Sequence, residues 1–514
     1  MSEDIKNVEP QKKSPTYWAC RHYWGNENKL DEFLSKGIWW YGQPPDRSVI
    51  DTVKEGDYFL LLGRKKKFEA IGRVVKHTKE RGKFEVDYLP IKLDLEDRQR
   101  GQCEISAIDD PEKDKNIIDA INKILREYEV KKMANDCKKL LEHSHNIILH
   151  GAPGTGKTYL ARQIAESMGA ETCFVQFHPS YDYTDFVEGL RPSPKEESSD
   201  EIGFERKDGV FKKFCKLACD FESVYKKYFE QIKDEKEVKI SENATIKIKN
   251  DDIEVVPPQG ESSNQPILIK KEFLAKYWRT GVIDKDSTGQ ELYIKALAKE
   301  LRKQIKNFVF IIDEINRGEM SKIFGELFFS IDPGYRGEKG KISTQYQNLL
   351  DENDAFYDGF YVPENVYIIG TMNDIDRNVE NMDFAIRRRF AFREITAAET
   401  QGMLDNPESW NGKKPEAPFV NGKTVIDRMK NRMNNLNNAI WKENKGIEGL
   451  SSAYHIGAAY FLKYDSKSTT PFEDLWNYHL KPLLQEYLRG MEDADKKLSE
   501  LETAYKDEEA HKDK

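Results

Sequence analysis

Asn146-Ile-Ile-Leu-His-Gly-Ala-Pro-Gly-Thr-Gly-Lys-Thr158 is the stretch that decides how this chain is read. A short apolar run ends in a glycine-rich loop of the pattern G-x-x-x-x-G-K-T, and a helix is expected from Thr158 onward. Gly151, Gly154 and Gly156 permit backbone dihedrals closed to other residues. With Ala152, Pro153 and Thr155 between them, successive N–H groups can converge on phosphate oxygens. Lys157 brings positive charge to the β- and γ-phosphates, and the Thr158 hydroxyl can enter a Mg²⁺ shell. The helix start turns its positive end to the same anion.

Two further strands fit around that loop. Phe308-Val-Phe-Ile-Ile-Asp-Glu-Ile-Asn-Arg317 holds five consecutive apolar residues, the texture of a parallel strand buried on both faces, and then two carboxylates. At the end of such a strand Asp313 holds Mg²⁺ with Thr158, and Glu314 polarises the attacking water. Val366-Tyr-Ile-Ile-Gly-Thr-Met-Asn373 ends in Asn373, a polar group suited to the γ-phosphate or its water. The run Asp383-Phe-Ala-Ile-Arg-Arg-Arg-Phe-Ala-Phe392 then supplies arginines, and a guanidinium placed across a subunit boundary stabilises phosphoryl transfer.

Composition narrows the field. The chain has 514 residues, room for several domains, and a formal net charge of −9, so any nucleic-acid-binding surface must be local. No apolar segment is long enough to cross a bilayer and no secretory h-region stands at the start, so a cytoplasmic protein without membrane contact is expected. Its six cysteines (Cys20, Cys103, Cys137, Cys173, Cys215, Cys219) form no CxxC pair, which argues against a disulfide or zinc framework.

Working outward, residues 1–14 are polar and read as a disordered terminus. Residues 15–110 carry short apolar runs broken by turns, a small mixed α/β barrel-like domain with a helix near Lys29 to Ser35. Trp18, Trp39, Trp40 and Tyr41 are candidate walls for a stacked base, though about half of such rings serve as core in any small domain. Arg64-Lys-Lys-Lys67 is a candidate phosphate contact or a solvated turn. Helical spacing of apolar residues over 106–145 leads into the phosphate loop. Residues 111–393 read as an α/β nucleotide-binding subdomain with a β-rich insertion at about 232–283. A helical lid over 394–490 and a charged, frayed tail over 491–514 follow. Within the insertion, Glu237-Val-Lys239 echoes half of a nuclease motif without an acidic partner, so no nuclease site is expected in this chain.

Two resemblances follow from these residues. Val53-Lys-Glu-Gly-Asp57 before an apolar strand, and Ile71-Gly-Arg-Val-Val75 after it, resemble the PUA-like superfold that includes EVE and YTH domains, which hold an unpaired modified base in an aromatic cage. The larger one rests on several motifs in order. They are the phosphate loop, Phe177-His-Pro-Ser-Tyr-x-Tyr-x-Asp-Phe-x-Glu-Gly189, Ile312-Asp-Glu-Ile-Asn-Arg317, Thr371-Met-Asn-x-x-Asp-Arg377, Asp383-x-Ala-x-Arg-Arg-Arg-Phe390 and Tyr454-His-Ile-Gly457. Together they resemble McrB, the AAA+ GTPases of McrBC modification-dependent restriction systems.

That resemblance implies a multidomain chain: an α/β AAA+ P-loop module with a parallel sheet and helical lid, preceded by a PUA/EVE-like domain. It implies Mg²⁺ with GTP, or ATP, as nucleotide. It implies a homo-hexamer, a separate McrC-like PD-(D/E)xK nuclease as partner, and DNA carrying methylated or hydroxymethylated cytosine as target. Asn373 would carry the catalytic water, Asp376 and Arg377 would support it, and Arg388 and Arg389 would reach the neighbouring subunit's nucleotide. Asp374, Ile375 and Asn378 depart from the family's usual Met-Asn-Thr-Ala-Asp-Arg-Ser. The rival readings are a MoxR-like remodeller of protein complexes and the same motor directed at modified RNA.

Overall fold

A computed structural model describes residues 16–24, 27–40, 51–63, 67–78, 83–91, 93, 95–96, 105–109, 113–192, 203–232, 238–241, 244–249, 252–256, 267–280, 283–287, 289–352, 354–376, 384–410, 415, 424–443 and 445–507. Tyr41, Arg64 to Lys66, Cys103, Glu237, Arg377 and Asn378 lie outside the described residues, as does the stretch 1–14. Contacts divide the chain into two units, 1–130 and 131–514.

In the first unit, β1 (Tyr17–Arg21), helix α1 (Leu30–Lys36), β2 (Ile38–Trp40), β3 (Tyr58–Leu62), β4 (Lys67–Thr78), β5 (Lys83–Tyr88) and β6 (Ile105–Ile108) build one sheet in the order β2-β5-β4-β3-β1-β6. Among the described strands, only β1 and β3 pair in parallel. Alternation decides the faces: Trp18, Cys20, Phe59 and Leu61 enter one core, and Tyr17, Ala19, Leu60 and Leu62 the other. The second core is closed by Ile117, Ile121 and Leu125 from the first half of a 30-residue helix, α2 (Lys115–Ser144). The unit division at 130/131 therefore falls inside α2, later than the boundary near 110 that composition suggests.

The structure corrects the expectation that Trp18 and Trp39 wall a base site. Both are buried, and neither has an open ring face. Trp18 donates its indole N–H to Asp57 at 2.9 Å, and Asp57 also accepts the backbone N–H groups of Thr16 and Lys54. The Gly56-Asp57 turn is thus a brace for β1 and β3. Trp39 packs between Phe59 and Phe84 with its N–H on the Arg21 carbonyl. Trp40, packed edge-on against Phe33, is only partly buried.

The second unit is built on β7 (Asn146–Gly151), α3 (Lys157–Ser167), β8 (Glu171–Gln176), α4 (Val210–Ala218), then an insertion, β13 (Phe308–Asp313), β14 (Val366–Asn373), α8 (Phe384–Arg389) and β15 (Ala391–Glu394). Its sheet is parallel throughout, in the order β8-β13-β14-β7-β15. Ile148, Phe310, Ile312 and Ile368 point to one core, and Ile147, Leu149, Val309, Ile311 and Ile369 to the other. This explains the unbroken apolar runs. A fully buried ion pair, Glu188 with Lys212 at 2.7 Å, ties the hairpin Glu188–Pro192/Phe204–Asp208 to α4.

The insertion consists of α5 (Phe221–Ile232), an antiparallel sheet of β9 (Val238–Ser241), β10 (Ala244–Lys249), β11 (Asp252–Val256) and β12 (Ile267–Ile269), then α6 (Lys271–Thr280) and α7 (Glu291–Lys303). It has its own core of Ile246, Ile253, Val255, Leu274, Ile294 and Leu297. Lys239 is an exposed residue of β9.

The lid forms around α9 (Val425–Ile440), which starts on a capping box between Thr424 and Asp427. Its closing helix begins earlier than the sequence suggests, at Pro471, and widens into a π turn over Trp476–Leu480 just before Pro482, whose missing N–H cannot close a regular turn. The frayed tail from 491 is also corrected. Residues Ala494–Lys506 form α10, with Leu498, Leu501 and Tyr505 buried in the lid core and the Tyr505 ring stacked on Trp476 at 5.1 Å. Three apolar residues at helical spacing were hidden among charges that point to water. Leu501→Ala is therefore expected to cost about 2–4 kcal/mol of lid stability, measurable by thermal or urea unfolding.

Candidate nucleotide-binding site

The loop between β7 and α3 has the backbone its glycines promised: φ is +143° at Gly151, +76° at Gly154 and +78° at Gly156. Lys157, 7 % exposed, turns its ammonium back onto the carbonyls of Gly151 (3.1 Å) and Ala152 (2.8 Å). Burial lowers its pKa from the ordinary lysine value to about 8, and Asp374, Glu314, Asp313 and Asp376 oppose that shift. A phosphate oxygen would take the place of those carbonyls and favour the charged form.

The carboxylates arrive from two strands. β14 lies between β7 and β13, so Asp313 is not on the strand beside the loop, yet its Oδ1 accepts from Thr158 Oγ1 at 2.7 Å and from Thr371 Oγ1 at 2.5 Å. Glu314 sits in the left-handed region at φ +52°, a strained position for a residue with a side chain. Asn373 Nδ2 donates to Glu314 Oε1 at 3.0 Å, and Arg317 Nε stands 3.3 Å from Oε2. Burial raises the Glu314 pKa, with Asp376 and Asp313 adding to the shift and Arg317 opposing it. His150, just before the loop, pairs with Asp374 at 3.0 Å, so that departure from the family pattern ties the end of β14 to the loop.

Two observations fit a nucleotide with a hard cation here. The Thr158–Asp313 pair is an all-oxygen donor set of the kind Mg²⁺ takes alongside phosphate oxygens and water. The buried atoms Glu314 Oε2 and Asp376 Oδ2 have no hydrogen-bond partner and face only the Arg317 guanidinium, at 3.3 and 3.8 Å. Among the described residues no cluster of three His, Cys, Asp or Glu could hold a metal alone.

The lid reaches the loop through residues that the motif reading did not assign to the site. Gly457 N–H donates to Pro153 O at 2.9 Å and Ala459 N–H to Gly154 O at 3.0 Å. A Cβ on Gly154 would meet the Tyr460 ring at 2.7 Å, and one on Gly156 would meet the Met403 methyl at 2.5 Å. Gly457 is required for the same reason, since its Cβ would lie 2.2 Å from the backbone of Gly154. Gly457→Ala is expected to push the lid off the loop and weaken nucleotide affinity about tenfold or more, read by fluorescent-nucleotide titration. The signal available in sequence was the conjunction Tyr454-x-x-Gly457; Thr371, Arg317, His150, Met403 and Tyr460 carried none on their own.

The arginines divide. Arg388 is exposed. Arg389, expected to reach a neighbouring subunit, is turned inward in this structure. Its Nη1 donates to Ala385 O at 2.9 Å, its Nε donates to Phe328 O, and its guanidinium lies 5.7 Å from the centre of the Phe328 ring. Helical periodicity places Ile386, Arg389 and Phe390 inward and residue 388 outward. Asp376 lies 3.8 Å from Arg317, while the position of Arg377 is outside the described residues.

Comparison with known proteins agrees with this geometry. An AAA domain family (dynein-related subfamily) matches residues 146–238 and 278–390, leaving out 239–277 where the insertion's sheet lies. The McrB alpha-helical lid domain family matches residues 428–495. The "Type IV methyl-directed restriction enzyme EcoKMcrB subunit" of Escherichia coli (strain K12) is 31 % identical over 361 residues, 68 % of this chain and 55 % of that protein. The "Type II restriction enzyme BsuMI component YdiS" of Bacillus subtilis (strain 168) is 26 % identical over 268 residues, 51 % of this chain and 60 % of that protein. The chain thus spans between half and two thirds of the length of these relatives. With a nucleotide-binding AAA module and an McrB-type lid joined at one loop, the chain belongs with the McrB-like AAA proteins.

Proposed function

We propose that the chain is the motor subunit of a modification-dependent restriction system: a ring-forming nucleoside triphosphatase, using GTP in preference to ATP, that acts on DNA and works with a separate McrC-like nuclease. The observation that carries this reading is the site in which Thr158 and Asp313 are joined at 2.7 Å and Asn373 and Glu314 at 3.0 Å, closed by an McrB-type lid. A bound Mg²⁺ would be held by Thr158 and Asp313 and would supply neutralisation of the charge that develops on the transferring phosphate. Lys157 binds the terminal phosphates, and Glu314, oriented by Asn373, accepts a proton from the attacking water. Arg388 of a neighbouring copy completes the site. Residues Asp376 and Arg377 are assigned to supporting Asn373.

The N-terminal sheet is the part proposed to read a modified base, in the manner of a PUA/EVE-like domain. Trp40, which packs on Phe33 and against the same core but is partly exposed, is the described candidate proposed for stacking. Among the described residues no helix is long and apolar enough to cross a membrane.

Two measurements test the proposal on the full chain. GTP and ATP turnover is measured with and without a McrC-like nuclease, and binding is titrated against duplexes carrying cytosine, methylcytosine or hydroxymethylcytosine. The expected result is GTP turnover raised by the nuclease and preference for a modified duplex, lost in Trp40→Ala. Absence of turnover under every condition would overturn the enzymatic reading. Equal affinity for the three duplexes would overturn the base-reading role.

A further inference from the structure

Helix α8 has two contrasting faces. Ile386 and the following Phe390 are buried, Arg389 is tied inward, and Asn146 Nδ2 donates to the Arg389 carbonyl at 2.9 Å, pinning the end of the helix to the start of β7. The outward face consists of Phe384, which is 87 % exposed, with Arg387 and Arg388 at i+3 and i+4. Arg389 also fastens α8 to the short helix Leu327–Ser330, where Phe329, 41 % exposed, lies tilted against Tyr335 with ring centres 4.4 Å apart. A lone exposed apolar side chain is ordinary on a protein surface. A phenylalanine sharing one helical face with two guanidinium groups has instead the composition of an interface centre, where aromatic and arginine side chains are enriched and carry most of the energy.

We propose that this face docks on the nucleotide site of a second copy of the chain, with Phe384 as the apolar anchor that seats Arg388 beside the partner's phosphates. The inference rests on the reading of Arg388 given above and adds the residue that positions it. Charge identifies the occupant. The nucleotide site gathers four carboxylates, Asp313, Glu314, Asp374 and Asp376, around Lys157 and Arg317, and a bound triphosphate adds further negative charge. A face bearing Arg387 and Arg388 complements that surface. Because α8 is held rigidly at its far end by Asn146 and Arg389, burial of Phe384 sets the height at which Arg388 stands.

The test uses the full chain with Mg²⁺ and non-hydrolysable GTP or ATP analogues, following assembly by sedimentation velocity over a range of protein concentrations. Phe384→Ser, Phe384→Leu and Arg388→Ala are compared. Phe384→Ser is expected to shift the assembly midpoint to about tenfold higher protein concentration or more, with an unchanged melting temperature for the unassembled chain. Turnover per chain should fall at low concentration and recover at high concentration, and Phe384→Leu should restore most of both. Arg388→Ala should lose turnover at every concentration even where it assembles. Assembly of Phe384→Ser at the parent's midpoint overturns the anchor, and so does a loss confined to DNA binding. Parent-like turnover by Arg388→Ala overturns the underlying arginine assignment instead, whatever Phe384 does.

Discussion

Lys157→Ala is expected to weaken binding of the triphosphate by about a hundredfold or more and to abolish measurable turnover. In the free protein the ammonium is buried and rests on two loop carbonyls, so the loop is already shaped around a positive charge at the point where phosphate oxygens would come. Alanine removes the charge, and the low local dielectric makes that loss larger than it would be in water. The lowered pKa gives a second signature. With a free-state value of about 8, the fraction of charged Lys157 falls as pH rises through that value, so nucleotide affinity of the parent should decline above it. The alanine variant should show no such decline. Isothermal titration with GTP and ATP analogues between pH 7 and pH 9 measures both effects; equal affinities for parent and variant would remove Lys157 from the site.

Glu314→Gln should separate binding from chemistry. The amide keeps the shape that Asn373 Nδ2 contacts, so nucleotide affinity should stay close to the parent's, while turnover falls about a hundredfold to ten-thousandfold because the proton acceptor is gone. Stability should move the other way. Burial raises the Glu314 pKa, so ionised Glu314 costs the folded protein stability at neutral pH, and that cost fades as pH falls below its folded pKa. Glutamine removes it, and the free variant should melt at a temperature no lower than the parent's at pH 7, with the difference shrinking in acid. The acid limb of the parent's turnover should lie above the usual carboxylate range. Arg317→Ala should move that limb higher still, because Arg317 opposes the shift. A Glu314→Gln protein that turns over nucleotide like the parent would place the general base elsewhere.

Legibility in the sequence followed the range of the interactions. Lys157, Thr158, Asp313, Glu314 and Asn373 stand at the ends of apolar runs whose burial on both faces leaves one arrangement, a parallel sheet with its polar residues at one edge. Their types and spacing alone led to a triphosphate and Mg²⁺. The charged segment after Met491 misled, because three buried residues, Leu498, Leu501 and Tyr505, were outnumbered by charges facing water. Trp18 and Trp39 misled for a related reason: an aromatic ring has the same letter whether its face meets a base or another ring.

What the sequence by itself determined is the phosphate loop, its two acids and the kind of module that carries them, since each depends on local backbone freedom and periodic burial. What only the tertiary structure decided is which groups meet. Thr371 reaches Asp313 because β14 lies between β7 and β13, Gly457 must be glycine because the lid touches Gly154, and Arg389 turns inward while Arg388 does not. The Thr371–Asp313, Gly457–Gly154 and Arg389–Phe328 contacts join residues tens to hundreds of positions apart, and although helical spacing orients Arg389, the partners it and the others meet exist only once the chain has packed.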